Sequence, residues 1–104
     1  MKITQRTEGQ STTISPEGRI DTVTAPELEE AMSNVPGDVA SLTFDFAKVE
    51  YISSAGLRVL LVAQKNMMKA GASMSIANVA PAVKEVFDIT GFSTICLLNK
   101  FLSI

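Results

Sequence analysis

The stretch Phe44-Asp45-Phe46-Ala47-Lys48-Val49-Glu50-Tyr51-Ile52-Ser53-Ser54-Ala55-Gly56-Leu57-Arg58-Val59-Leu60-Leu61 decides the fold. It reads as the end of a buried strand, a short connection, two adjacent serines, and a helix that begins at them. A hydroxyl at a helix N-terminus sits beside unpaired backbone N–H groups and the positive end of the helix dipole. Such a place suits an anion, and a serine there becomes one when phosphorylated. The pattern points to a switch rather than a catalyst.

Working outward, Val39 to Phe46 reads as a strand with Leu42, Phe44 and Phe46 facing one way. The helix after the serines is predicted over Ser54 to Ala70, closed by Gly71, with Leu57, Leu60, Leu61, Gln64 and Met68 inward. Arg58, Val62, Lys65 and Lys69 form a second stripe, basic apart from one valine, that starts one turn beyond Ser54. Upstream, Lys2 to Glu8 and Ser11 to Ser15 flank Gly9-Gln10 and read as a hairpin. Pro16-Glu17-Gly18 reads as a second turn, followed by the short strand Arg19-Ile20. Thr24-Ala25-Pro26-Glu27 sets a capping threonine three residues before a glutamate, predicting a helix from Ala25 to Val35, ended by Pro36-Gly37. Downstream, Ser73 to Val79 reads as a strand and Pro81 opens a third helix that Thr90-Gly91 ends. Thr94 to Leu98 reads as a last short strand, and Asn99 to Ile104 as an apolar tail. The expected fold is α/β: one domain over 1–104, a mixed, mostly parallel sheet of four to five strands with an N-terminal hairpin and helices packed on it.

Composition narrows the function. The 104 residues carry a formal net charge of −2, with 46% hydrophobic and 19% charged side chains. That balance argues against nucleic-acid binding, which shows a basic excess. The chain has no histidine, so neither a Ser-His-Asp nor a Cys-His arrangement is available. One cysteine, Cys96, in an apolar run, excludes an internal disulfide and the usual zinc sites and reads as a buried thiol. No phosphate-cradling glycine motif supports nucleotide binding by this chain, so no cofactor or metal is expected. No apolar run approaches the roughly 20 residues of a membrane span, and Met1 to Arg6 lacks the core of a signal peptide. A cytoplasmic protein without membrane insertion is expected.

Several residues stand out as candidates. Ser53 and Ser54 each suit either a helix N-cap or a phosphorylation site. Gly56, poor for helix stability, leaves room either for a partner or for close packing on a neighbouring strand. Asp21, between strand and helix, is a turn residue or a polar contact beside Ser54. Asp45 and Lys48 border the connection as a ligand rim or as solvated charges. An enzyme using Ser54 as nucleophile and Lys48 as base lacks any oxyanion signature.

The segment from Leu42 to Leu61 resembles the signature of the STAS domain of bacterial anti-sigma factor antagonists: an apolar strand ending in an acidic residue, a Ser-Ser-x-Gly-Leu-like turn, then an apolar helix. Gly18-Arg19-Ile20-Asp21 with Thr24-Ala25-Pro26-Glu27-Leu28 resembles a second family landmark. Asn78-Val79-Ala80-Pro81 and Val86-Phe87-Asp88-Ile89-Thr90-Gly91-Phe92 resemble a third. The resemblance implies a non-enzymatic regulator that, unphosphorylated, binds an anti-sigma factor serine kinase and so frees a sigma factor. ATP is then bound by the partner, phosphorylation at Ser54 ends the binding, and a PP2C-type phosphatase resets the cycle. The expected partner surface comprises Asp21, Ser53, Ser54, Gly56, Arg58, Val62 and Lys65, and the alternative for the stripe of Arg58, Val62, Lys65 and Lys69 is a solvated helix face. The family often has aspartate where this chain has Ser53, which makes Ser53 the alternative acceptor, while Gly56-Leu57 fixes the register on Ser54. A STAS module of a stressosome or a lipid-transport ABC complex is the other implied setting.

Overall fold

The computed structural model describes residues 2–90. The expected last strand at Thr94–Leu98, the tail from Asn99 and Cys96 lie outside the described residues. The elements run β1 (Lys2–Glu8), β2 (Ser11–Ile20), α1 (Ala25–Ser33), β3 (Ser41–Asp45), β4 (Lys48–Ile52), α2 (Ser54–Lys69), β5 (Ser73–Ala77) and α3 (Pro81–Thr90). They form a mixed five-stranded sheet. β1 pairs antiparallel with β2, while β2 pairs parallel with both β3 and β4, and β3 pairs parallel with β5. Among the described residues, no helix is long and apolar enough to cross a membrane.

Sheet alternation builds the core. Ile14, Leu42, Phe44, Met74 and Ile76 are buried on one face, under α1 and α2. The opposite face carries a partly exposed hydroxyl ladder, with Thr43 and Ser75 3.2 Å apart and Ser11 and Ser41 2.8 Å apart. α3 closes against the end of β3, where Phe87 meets Phe46 at a ring-centroid distance of 6.4 Å.

Two predicted features are corrected. Pro16-Glu17-Gly18 is no turn: β2 runs through it for ten residues. Its proline falls in the gap between the residues paired with β3 (Ser11–Ile14) and those paired with β4 (Glu17–Ile20), where the parallel ladder is interrupted. The predicted connection after Phe46 is also mostly strand, since β4 continues the line of β3 along the second half of β2. Glu17 pairs with Lys48 and Gly18 with Val49, then Arg19 pairs with Tyr51 and Ile20 with Ile52. Glu50 is therefore the extra residue of a bulge opposite Gly18, whose φ of +99° suits glycine. The bulge puts Val49 and Ile52 on the same buried face although they are three apart. That spacing hides the period of two from a reading of the sequence.

On α2 the inward stripe is Gly56, Leu57, Val59, Leu60, Ala63, Gln64 and Met67. Met68, predicted inward, is instead 55% exposed. From Leu60 and Ala63, steps of three and four reach Gln64 and Met67, and Met68 falls past the edge of the stripe.

Candidate functional site

β2 and β4 end side by side, and this brings the candidates together. Ile20 pairs with Ile52, and the Ser53 backbone N–H donates to the Ile20 carbonyl at 2.8 Å. The turn from Asp21 and the start of α2 therefore leave the same end of the sheet as neighbours. Asp21 and Ser53 directly follow the paired residues Ile20 and Ile52.

The two serines divide their roles. Ser53 is the N-cap of α2, with extended backbone, and its half-buried hydroxyl accepts from the Gly56 N–H at 3.4 Å. Ser54 is the first helical residue and is exposed, and its hydroxyl makes no side-chain hydrogen bond to the described residues. No acidic residue occupies the first turn, so the positive end of the dipole is uncompensated there. Arg58, one turn on, is exposed, as are Val62 (49%) and Lys65, so these three of the predicted partner residues share one outer face of α2.

Gly56 is different. It is buried, and a Cβ built on it would lie 2.6 Å from Ile20 Cγ2 and 2.7 Å from Ile52 Cγ1. Packing of the first helical turn onto the ends of β2 and β4 accounts for the glycine, and it has no surface to offer a partner.

The β2–α1 turn is a locked loop. Asp21 Oδ1 accepts from the backbone N–H groups of Val23 at 3.0 Å and Thr24 at 3.1 Å. Thr24 Oγ1 accepts from the Asp21 N–H at 2.8 Å and donates to the Arg19 carbonyl at 2.7 Å. Thr24 holds the N-cap position of α1 but makes no side-chain cap bond, because its hydroxyl is spent on the turn instead. The predicted capping box is thus replaced by a loop clamp.

The Thr24 N–H bond is the main reason the Asp21 carboxyl titrates below its ordinary value of 3.8; partial burial opposes the shift, and the Val23 N–H, the Thr24 hydroxyl and Arg19 add to it. A folded-state pKa below the unfolded one contributes stability at pH values above about 4, and that contribution is lost as pH falls through the folded value. Asp21→Asn, which keeps an acceptor but no charge, should therefore be less stable than the parent at neutral pH, with the gap closing on acidification. Urea midpoints measured from neutral pH to below pH 4 check this; a gap that stays constant would show that the charge contributes nothing.

This loop also shows what the sequence reading missed. Val23 sits on the clamped turn with 82% of its surface exposed. An aspartate followed three residues later by threonine was the available signal, because that pair pushes the intervening side chains outward. Beside it, the Arg19 guanidinium lies 4.4 Å from the Tyr51 ring centroid, across the β2–β4 pair and on the exposed side. That contact is worth about 0.5–1 kcal/mol at an exposed position.

Asp45 and Lys48 belong elsewhere. Asp45 accepts from the Ala47 N–H at 3.0 Å and from Asn78 Nδ2 at 3.1 Å, tying the end of β3 to the end of β5. Lys48 opens β4, 3.9 Å from Glu17. About 13 Å of strand separates it from the end of β4, where the serines follow. Lys48 is therefore badly placed to act as a base for Ser54.

Comparison with known proteins agrees with this arrangement. The STAS domain family model matches residues 2–103. A candidate anti-sigma factor antagonist, BtrV of Bordetella bronchiseptica, is 34% identical over 80 residues, covering 76% of this chain and 69% of its own. The anti-sigma-B factor antagonist of Bacillus subtilis is 33% identical over 78 residues, covering 75% of this chain and 72% of its own. Among solved structures, an anti-sigma factor antagonist from Mycobacterium paratuberculosis superposes with a TM-score of 0.79 at 27% identity, covering 90% of this chain and 80% of that one. A clamped turn, a serine-capped helix and an exposed second serine at one end of a mixed sheet thus sit in a chain that belongs to the STAS domain family, among the anti-sigma factor antagonists.

Proposed function

We propose that this protein binds an anti-sigma factor serine kinase in the cytoplasm while Ser54 is unmodified, releasing a sigma factor, and that phosphorylation of Ser54 ends the binding. A PP2C-type phosphatase would return the chain to its binding form. The observation that carries this reading is the division of labour between the serines. Ser53 already satisfies the helix end, so the exposed Ser54 hydroxyl is not required for capping. Asp21 and Val23 on the adjoining turn, with Arg58, Val62 and Lys65 on α2, supply the surrounding contact surface.

A phosphoserine carries about −1.5 to −2 charges near neutral pH. At the first position of α2 the helix dipole favours that charge by about 0.3–1 kcal/mol. Modification therefore leaves the domain folded, and its cost falls on the partner, as repulsion and desolvation at a contact shaped for a neutral hydroxyl. Incubation with the cognate anti-sigma kinase and ATP should place one phosphate in the tryptic peptide Val49–Arg58, with fragment masses locating it on Ser54. Phosphate on Ser53, or only outside this peptide, would defeat the assignment.

A further inference from the structure

α1 and α2 follow the parallel strands β2 and β4 and lie side by side, yet they do not close on each other. Between them runs a groove of about 470 Å³, open from Thr22 and Ala55 at one end to Ser33 and Asn66 at the other. Its depth comes from small side chains: Ala25 and Ala63 are buried along it where longer residues would have filled the space. Val62 stands half-exposed on its rim.

The two walls carry opposite charge. Every ionised side chain of α1 is acidic, namely Glu27, Glu29 and Glu30, and every one of α2 is basic, namely Arg58, Lys65 and Lys69. Glu29 and Arg58 both line the groove, and neither has an ion-pair partner among the described residues. Two helices in contact thus keep their opposite charges apart across an apolar channel.

We infer that this groove seats an amphipathic helix of a partner protein, with basic residues on the flank that meets α1 and acidic residues on the flank that meets α2. The lined part of α2, from Ala55 to Asn66, spans about 16 Å, room for some three helical turns. Apolar anchors at i, i+4 and i+7 would lie along the alanines, and the opposed flanks would set the direction of the bound helix. The inference deepens the proposed partner surface, since Arg58 and Val62 belong to both, and it adds the partner's shape and charge order.

The test uses the full chain and two synthetic, fluorescein-labelled, hydrocarbon-stapled helical peptides of fourteen residues. Both carry the same leucine stripe; one has lysine along one flank and glutamate along the other, and the second has glutamate along both flanks, so that reversing either peptide in the groove does not change its charge match. Fluorescence anisotropy should show the first binding about tenfold tighter than the second. The exposed-rim variant Glu29→Lys, which makes both walls basic, should invert that preference, and Lys84→Gln on α3, outside the groove, should bind as the parent does. Equal binding of the two peptides, no binding of either, or a preference unchanged by Glu29→Lys would overturn the inference. So would a concentration-dependent dimer that Val62→Asp dissolves, which would give the groove to a second copy. No kinase takes part, so peptide binding can fail while kinase binding persists, and the reverse; the two readings fall separately.

Discussion

Phosphorylation of Ser54 should weaken binding to the anti-sigma partner about a hundredfold, and Ser54→Asp at least tenfold, while Ser54→Ala binds like the parent. The hundredfold figure corresponds to a penalty of about 3 kcal/mol, at 1.4 kcal/mol per decade. Aspartate supplies roughly half the charge of a phosphate and a shorter reach, so its effect is smaller and of the same sign. The stability of the free protein should move the other way. A carboxylate in a first turn that has no acidic residue gains about 0.3–1 kcal/mol from the dipole. Ser54→Asp should therefore melt at or slightly above the parent temperature while binding worse, a combination that damage to the fold cannot produce. Titration calorimetry against the anti-sigma factor, paired with thermal melts of the free variants, reads both quantities. Equal affinity for the Ala and Asp variants would sink the switch.

The same charge has a second neighbour. Arg58 lies one turn along α2 from Ser54, exposed and without an ion-pair partner among the described residues. Residues at i and i+4 on a helix face one another, so a phosphate on Ser54 would compete with a partner carboxylate for Arg58. Repulsion and loss of a basic contact then act together at the mouth of the α1–α2 groove.

How much of this could be read from residues alone follows from which signals are local. Helix α2 was legible because Ser53-Ser54 and the spacing of Leu57 and Leu60 state its start and its face within one turn. The hairpin was legible from Gly9-Gln10 between two threonine-rich runs. β4 was not, because its bulge at Glu50 breaks the alternation, and only pairing with β2 shows that Val49 and Ile52 share a face. The length of β2 was hidden for a related reason: Pro16 and Gly18 are turn residues by type, yet here one falls between the stretches paired with β3 and β4 and the other sits at the bulge. Val23 was missed because its exposure is imposed by a clamp made between Asp21, Thr24 and the Arg19 carbonyl, of which the sequence shows only the spacing of Asp21 and Thr24. The role of Gly56 stayed open because nothing in the local sequence says which strands pass beneath it.

That glycine carries the sharpest structural expectation, since two effects predict opposite signs. Helix propensity alone makes Gly56→Ala stabilising by about 1 kcal/mol. Packing opposes it: the new methyl would stand 2.6 Å from Ile20 Cγ2 and 2.7 Å from Ile52 Cγ1, both on side chains with no exposed surface. Branching at Cβ leaves those isoleucines few rotamers into which to retreat, and overpacking of this kind costs about 1–3 kcal/mol. With two contacts below 3.0 Å the cost lies toward the upper end, so the net effect of Gly56→Ala should be a loss of about 1–2 kcal/mol. Gly56→Val adds two more carbons in the same place without the propensity gain, and should lose about 3 kcal/mol or more. For a domain near this size each kcal/mol lowers the melting temperature by roughly 4–8 °C, so thermal denaturation separates the three proteins. Relief should come from the strand: Ile52→Ala is costly alone, but combined with Gly56→Ala it should cost less than the sum of the two, by about 0.5–3 kcal/mol. Because the displaced turn begins at Ser53-Ser54, Gly56→Val should also slow modification of Ser54 by the kinase, and Ile52→Ala should restore part of that rate. A stabilised Gly56→Ala protein, or strict additivity with Ile52→Ala, would mean that the helix start is not seated on these strands in the way that aims Ser54 outward.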